Sequence, residues 1–152
     1  MLLRTHLAIA FLIYLIILNH IQNKIIFLIF LLFAAFFVDI DAKKSKLGDN
    51  WFLRPLQWFM SHRGFFHSIL ALSIFSAIIY SFNKSAGLGF FTGYLLHLIL
   101  DALTPNGIKF FWPFIHFKIR FLIKSGSIIE EILFVLILLL DIYLCIRVII
   151  NM

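Results

Sequence analysis

Residues 128–150 read IIEEILFVLILLLDIYLCIRVII, and this run decides the class of fold. A helix needs about 20 apolar residues to cross the ~30 Å hydrocarbon core of a bilayer, and this run is long enough by itself. The rest of the chain agrees, because 63% of its 152 residues are hydrophobic and only 13% are charged. Such a composition excludes disorder and leaves too much apolar surface for a soluble fold. Twenty Phe in long runs favour lipid-facing helices over a barrel of short alternating strands.

Four further apolar runs precede this one, at residues 7–18, 25–38, 65–82 and 88–100. We predict an all-α, polytopic membrane helical bundle with about five transmembrane helices, formed by one integral membrane domain over residues 1–152. The short runs leave one alternative open, in which a pair of them forms a re-entrant hairpin. Run 7–18 is also as long as the core of a signal peptide, but no small-residue cleavage site follows it, so we expect it to be retained.

The basic residues predict the orientation. With five spans, ten of the 13 Lys and Arg residues fall on the side that holds the N-terminus. These ten are Arg4, Lys43, Lys44, Lys46, Arg54, Arg63, Lys109, Lys118, Arg120 and Lys124. The opposite side holds Lys24, Lys84 and Arg147. Because cytoplasmic loops carry the excess of Lys and Arg, we expect a multi-pass protein of the inner (cytoplasmic) membrane with a cytoplasmic N-terminus.

Two long loops on the side of the N-terminus, residues 39–64 and 101–127, contain all three tryptophans, Trp51, Trp58 and Trp112. Tryptophan prefers the headgroup level, so residues 51–60 and 110–117 are predicted to be short interfacial amphipathic segments. The net charge of +6 fits this topology, and no basic run is dense enough to predict nucleic-acid binding. Membrane lipid is the expected partner, and nothing in the sequence identifies a protein partner.

Seven ionisable side chains lie at the cytoplasmic ends of the first four runs, under a topology derived from Lys and Arg alone. Such groups are rare at membrane depth and usually face a cavity or a partner. They are His6, Asp39, Asp41, His62, His67, His97 and Asp101. Each has an ordinary structural explanation when it is taken singly, and only the joint pattern predicts a site. His20, at the opposite end, and His116, in a loop, are excluded.

The spacing of these residues suits a metal site. His97 and Asp101 are four residues apart and share one helix face, and Asp39 and Asp41 suit a turn that leaves a helix. Imidazole and carboxylate without thiolate favour zinc, with manganese or iron as alternatives. Seven candidates exceed the needs of one catalytic zinc. Either two divalent ions share the site, or some residues only orient the ligands.

Three flanking features have defined roles. Thr104-Pro105-Asn106-Gly107 is a turn signal that ends the fourth helix just beyond Asp101. Ser127 and Glu130 form a capping box that opens the last helix, although a carboxylate of Glu130 or Glu131 that reaches the site is the alternative. Arg63 lies between two candidate ligands and is the best candidate for binding a phosphate.

In order along the chain, these motifs resemble the YdjM-like family of membrane-bound metal-dependent hydrolases. They are Thr5-His6, Asp39-Ile40-Asp41, His62-Arg63-Gly64-Phe65-Phe66-His67-Ser68, the segment GYLLHLILD at 93–101, Thr104-Pro105-Asn106-Gly107 and Trp112-Pro113-Phe114. The resemblance covers about residues 5–131. It implies a multi-span inner-membrane protein with metal-dependent hydrolase activity and names no substrate. One departure is Val38, where relatives often carry proline before the acidic motif.

The leading hypothesis is hydrolysis by a metal-activated water, with Asp39, Asp41 or Asp101 as proton acceptor and Arg63 near the substrate. A site at the cytoplasmic interface favours a phospholipid or another lipid-linked phosphate. One alternative is a metal-free lipid phosphatase of the phosphatidic acid phosphatase type, with His97 as nucleophile backed by Asp101, although the Pro-Ser-Gly-His segment of that superfamily is absent. Another is a non-catalytic metal carrier or sensor, or a membrane scaffold.

Overall fold

A computed structural model describes residues 1–41, 64–115 and 117–150. Within these ranges the chain forms five α-helices and no β-strand, as predicted. The helices are α1 (Leu3–Ile17), α2 (Lys24–Phe37), α3 (Ile69–Phe82), α4 (Lys84–Ala102) and α5 (Ile128–Ile150). Short 3-10 turns extend two of them and precede a third, at Leu18–His20, Val38–Asp41 and Phe65–His67.

Three helices are long and apolar enough to cross a membrane: α1 with its 3-10 extension (Leu3–His20), α4 and α5. Both α1 and α4 begin four residues before the apolar runs that predicted them, and so include His6 and Lys84. The helix formed by the third run is shorter than the run itself. Its first residues form the 3-10 turn, and α3 begins only at Ile69 because the Ser68 hydroxyl caps it by accepting from Ala71 N. The helices α2 and α3 have 14 residues each.

Helix α4 is the centre of the bundle. In the most apolar stretch of α4, 67% of the residues are buried inside the protein, whereas the corresponding fraction for α5 is 11%. It packs against α2 on one side and α3 on the other. Gly89 and Gly93 permit the first contact, since a Cβ at either position would overlap the carbonyl oxygen of Phe27 or Leu31 in α2. Small residues spaced four apart are typical of closely packed membrane helices.

The loop after α4 returns to the first residue of α3. Gly107 adopts a positive φ of 60° in the predicted turn. Ile108 and Ile119 then pair as an isolated antiparallel bridge, and Ile69 N donates to Phe110 O at 2.9 Å. The predicted interfacial segment 110–117 is a series of turns rather than a helix where it is described, and Phe114 and Phe117 are exposed. The other predicted segment, 51–60, lies outside the described residues.

Candidate metal centre

Four of the seven predicted side chains meet at one end of the bundle. Asp39, His67, His97 and Asp101 each offer one ligand atom, and these atoms lie within 4.8 Å of one another. His97 Nε2 lies 3.6 Å from Asp39 Oδ1, and His67 Nε2 lies 3.8 Å from Asp39 Oδ1 and 3.6 Å from Asp101 Oδ2. Bonds of 2.0–2.2 Å to one tetrahedral ion would separate its ligands by about 3.4 Å. The donor atoms are therefore already close to the spacing that a shared ion requires.

Three separate elements deliver these side chains. His97 and Asp101 occupy the last turns of α4, one helical turn apart on the same face. Asp39 lies in the 3-10 turn that ends α2, and His67 lies in the 3-10 turn that precedes α3. Because α2 and α4 both end where α3 begins, the order of the helices alone brings the four residues together.

Tyr94 fixes the turn that carries His67. Its hydroxyl donates to Phe66 O at 2.6 Å, and the tyrosine is fully buried. Tyr94 belongs to the motif at 93–101, but the motif alone predicted no role for it, although its position three residues before His97 places both on one face of α4. The hydrogen bond thus links the position of one candidate ligand to the helix that bears two others.

A hydrogen bond to the backbone determines the tautomer of the neutral His97 ring, and so which of its nitrogens carries the lone pair. Its Nδ1 lies 3.1 Å from the carbonyl oxygen of Ala35, and a carbonyl can only accept, so Nδ1 carries the proton. In the neutral ring Nε2 then presents a lone pair, and it has no hydrogen-bond partner among the described residues. It faces the Asp39 carboxylate, which is also an acceptor. A cation between these two atoms satisfies both, either a proton on Nε2, which would then donate to Asp39, or a metal ion.

His6 lies beside the four-residue cluster rather than in it. Its Nδ1 is 3.0 Å from Leu2 O, its Nε2 is 3.5 Å from Asp101 Oδ1, and its ring centroid is 4.3 Å from that of His97. Asp101 Oδ1 also accepts a 2.8 Å hydrogen bond from the Met1 amino group. This arrangement suits a residue that orients Asp101, although a role of His6 as a ligand stays a prediction.

The cluster is buried except at Asp39. His6, His67, His97 and Asp101 are at most 3% exposed, whereas the Asp39 side chain is 33% exposed. Burial alone would raise the pKa of the Asp39 carboxyl, but the adjacent imidazoles, His97 first, outweigh burial and hold this pKa below its ordinary value. Asp39 is therefore ionised at neutral pH and is the most accessible member of the cluster.

The remaining predicted residues divide into two groups. His62 and Arg63 lie outside the described residues, as does the excluded His116, and for Asp41 only the backbone is described. The excluded His20 lies at the opposite end of α1, where it is exposed.

Glu130 stabilises the start of the last helix, as one of the two predictions had it, and its carboxylate does not reach the metal cluster. It is fully buried, and its carboxylate accepts from Leu2 N at 2.7 Å, Thr5 Oγ1 at 2.9 Å and Gly126 N at 2.7 Å. Ser127 Oγ accepts from Glu130 N at 3.4 Å, as in a capping box, but the carboxylate returns to Gly126 rather than to Ser127. Glu130 thereby joins the first turn of α5 to the start of α1, and the neighbouring Glu131 pairs with Arg4 on the surface.

Comparison with known proteins identifies a family of inner membrane proteins. A family model described as YdjM inner membrane protein matches residues 1–151. The chain is 38% identical to "Inner membrane protein YdjM" of Escherichia coli (strain K12) over 84 residues, which are 49% of this chain and 43% of that protein. It is 34% identical to "Uncharacterized protein YvsG" of Bacillus subtilis (strain 168) over 104 residues, 65% of each. The chain thus aligns with less than two thirds of either relative, and no solved structure matches it.

Proposed function

The chain belongs to the YdjM family of inner membrane proteins, and from this premise we propose that it is a membrane-embedded, metal-dependent hydrolase. The observation that supports the proposal best is the lone pair of His97 Nε2, which faces the Asp39 carboxylate in a buried cluster of four potential ligands. Two imidazoles and two carboxylates suit zinc, and they also suit manganese or iron. His67, His97 and Asp101 would hold one ion and leave a position for water beside Asp39, and Asp41 and His62 are the candidates for a second ion.

The chain's own groups divide the remaining work. When bound, the ion would supply a water acidic enough to attack an ester or phosphoester near neutral pH. Asp39 is the proton acceptor that we favour, because it is the most exposed of the four. His6 would orient Asp101, and Arg63 is proposed to bind a phosphate of the substrate.

We propose a phospholipid or a lipid-linked phosphate as substrate, acted on at the cytoplasmic face. The cluster lies where α2 and α4 end, and the ten basic residues predict that this end is cytoplasmic. The exposed Phe114 and Phe117 belong to the loop that follows α4, so this end of the molecule also presents apolar side chains to the interface. A site at this depth is accessible to a lipid headgroup without extraction of the lipid from the bilayer.

The geometry does not favour the metal-free phosphatase. That chemistry needs an aspartate behind the nucleophilic histidine, to hold its second nitrogen. Here His97 Nδ1 bonds to the Ala35 carbonyl instead of Asp101. The Asp101 carboxylate contacts Met1, His6 and His67.

Elemental analysis of the purified full chain, followed by a lipid-hydrolysis screen, tests the proposal. We expect bound zinc, manganese or iron, and hydrolysis of at least one of phosphatidic acid, phosphatidylglycerol or a polyprenyl diphosphate. A chelator should abolish the activity and the metal should restore it. His97→Ala should lose both metal and activity, whereas the matched variant His20→Ala, at the other end of the bundle, should keep both.

Each contrary result has a distinct meaning. Hydrolysis that persists in chelator would replace the proposal by the metal-free phosphatase. Stoichiometric metal with no hydrolysis of any lipid would favour the carrier or sensor. Full metal content in His97→Ala would contradict the ligand assignment itself.

A further inference from the structure

A second polar cavity lies at the opposite end of the bundle from the candidate metal centre. It has a volume of about 720 Å³ and lies between the end of α1, the start of α2 and the last turns of α5. Two cationic side chains, Lys24 and Arg147, line it together with the Asn19 amide. The other lining side chains are mostly apolar, among them Leu18 and Leu144.

Two of the few basic residues at this end of the bundle line the same cavity. Only three basic residues, Lys24, Lys84 and Arg147, fall at this end of the chain in the predicted topology. Two of the three line one cavity although they are far apart in sequence. Both side chains are exposed, and two cations that line one cavity together attract an anion.

The described residues provide no such anion. No ion pair with a carboxylate involves Lys24 or Arg147 in residues 1–41, 64–115 or 117–150. The nearest acidic residue in sequence, Asp141, precedes Arg147 by six residues, about 9 Å along α5, and it is buried and lines a different cavity. The carboxylates of Asp39, Asp101, Glu130 and Glu131 lie at the other end of the bundle.

The start of α2 offers free amide groups to the cavity, while Arg147 lies in the last turn of α5, the carbonyl end of that helix. Lys24 is its first residue, and the preceding Asn23 makes no side-chain hydrogen bond to cap the helix. The amide groups of an uncapped first turn favour an anion. Lys24, Ile25 and Asn19 all line the cavity, so this helix end faces the same space as Arg147.

We propose that this cavity binds an anionic phospholipid of the leaflet opposite the candidate metal centre. Its phosphate would lie between Lys24 and Arg147, with the Asn19 amide as a further donor. The first part of an acyl chain would pack along the apolar side chains of Leu15 and Leu144, which line the cavity on the side of the bilayer interior. The combination of two cations with apolar walls selects a lipid over a free phosphate, and the site is independent of the proposed hydrolase activity.

Native mass spectrometry of the full chain, released from nanodiscs with equal amounts of phosphatidylglycerol and phosphatidylcholine, tests the proposal. We expect the wild type to retain more phosphatidylglycerol than phosphatidylcholine, and the ratio of the two retained lipids is the quantity measured. A basic residue near a membrane surface attracts anionic lipid by about 1 kcal/mol, so each of Lys24→Gln and Arg147→Gln should lower the retained ratio about fivefold. Lys84→Gln removes the third basic residue of this end, which does not line the cavity, and should leave the ratio unchanged.

The charge-preserving pair Lys24→Arg with Arg147→Lys should also keep the preference, which separates charge from folding. Circular dichroism should give the same helix content for all variants. Three outcomes would overturn the proposal: an unchanged ratio in the Lys24→Gln/Arg147→Gln double variant, an equal loss in Lys84→Gln, or displacement of phosphatidylglycerol by inorganic phosphate alone.

Discussion

At the scale of single residues, sequence spacing predicted neighbours better than it predicted roles. The four-residue spacing of His97 and Asp101 fixed their common face, and the order of the helices placed His67 and Asp39 beside them. The sequence did not reveal that the Ala35 carbonyl sets the tautomer of His97 or that Tyr94 holds the turn of His67. Both depend on backbone atoms of other elements, whose positions follow only from the packed structure.

Glu130 and Glu131 provide a residue-scale prediction, because adjacent carboxylates have opposite environments. Glu130→Gln replaces one acceptor oxygen by an NH₂ group, which must face the N–H of either Gly126 or Leu2. Since a buried donor then faces a donor, we expect a loss of about 1–3 kcal/mol in the free energy of unfolding. Glu131→Gln breaks only the exposed pair with Arg4, whose side chains are 47% and 45% exposed, and should cost less than about 1 kcal/mol. Reversible unfolding in mixed detergent measures both, and equal losses would refute the buried role of Glu130.

At the scale of elements, the number and type of the helices were predictable, but their ends and neighbours were less so. Apolar runs predicted all five helices, and the last one has the predicted bounds. The helices α1 and α4 begin four residues before their apolar runs, at Leu3 and Lys84, because apolarity alone delimited the runs. The central place of α4 was not predicted either. It depends on the small side chains of Gly89 and Gly93, which let α2 approach the backbone.

Gly93→Ala tests whether this close helix contact supports the cluster. The added methyl group would overlap the Leu31 carbonyl oxygen, so α2 and α4 must separate. Overpacking of this kind costs about 1–3 kcal/mol. It should also weaken metal binding, because α2 leads to Asp39 and α4 carries His97 four residues further on. Ile99→Val changes the same helix by one methyl group at an exposed position and is the matched control.

Thermal unfolding and metal titration of the two variants provide the measurement. We expect Gly93→Ala to lose both stability and metal affinity, and Ile99→Val to lose neither by a comparable amount. If Gly93→Ala binds metal as the wild type does, the α2–α4 contact does not position the ligands.

At the scale of the whole molecule, the candidate site results from the alternating direction of the first four helices in the bundle. The start of α1, the end of α2, the start of α3 and the end of α4 lie at one end of the bundle, so their polar residues converge. This convergence follows from connectivity and was predictable without any knowledge of packing. The Lys and Arg count assigns the same end to the cytoplasm, and the assignment does not use the site residues.

That assignment gives a prediction for intact cells. In a chain with Cys145→Ser, which removes the single cysteine, a new cysteine is placed at Lys84 or at Lys124. Lys84 begins α4 at the end opposite the cluster, and Lys124 lies in the loop before α5 at the end of the cluster. Because the basic-rich side should be cytoplasmic, a membrane-impermeant maleimide should label Lys84→Cys in intact cells and Lys124→Cys only after permeabilisation. The reverse pattern would place the cluster at the outer face, and the proposed substrate would then have to come from the outer leaflet.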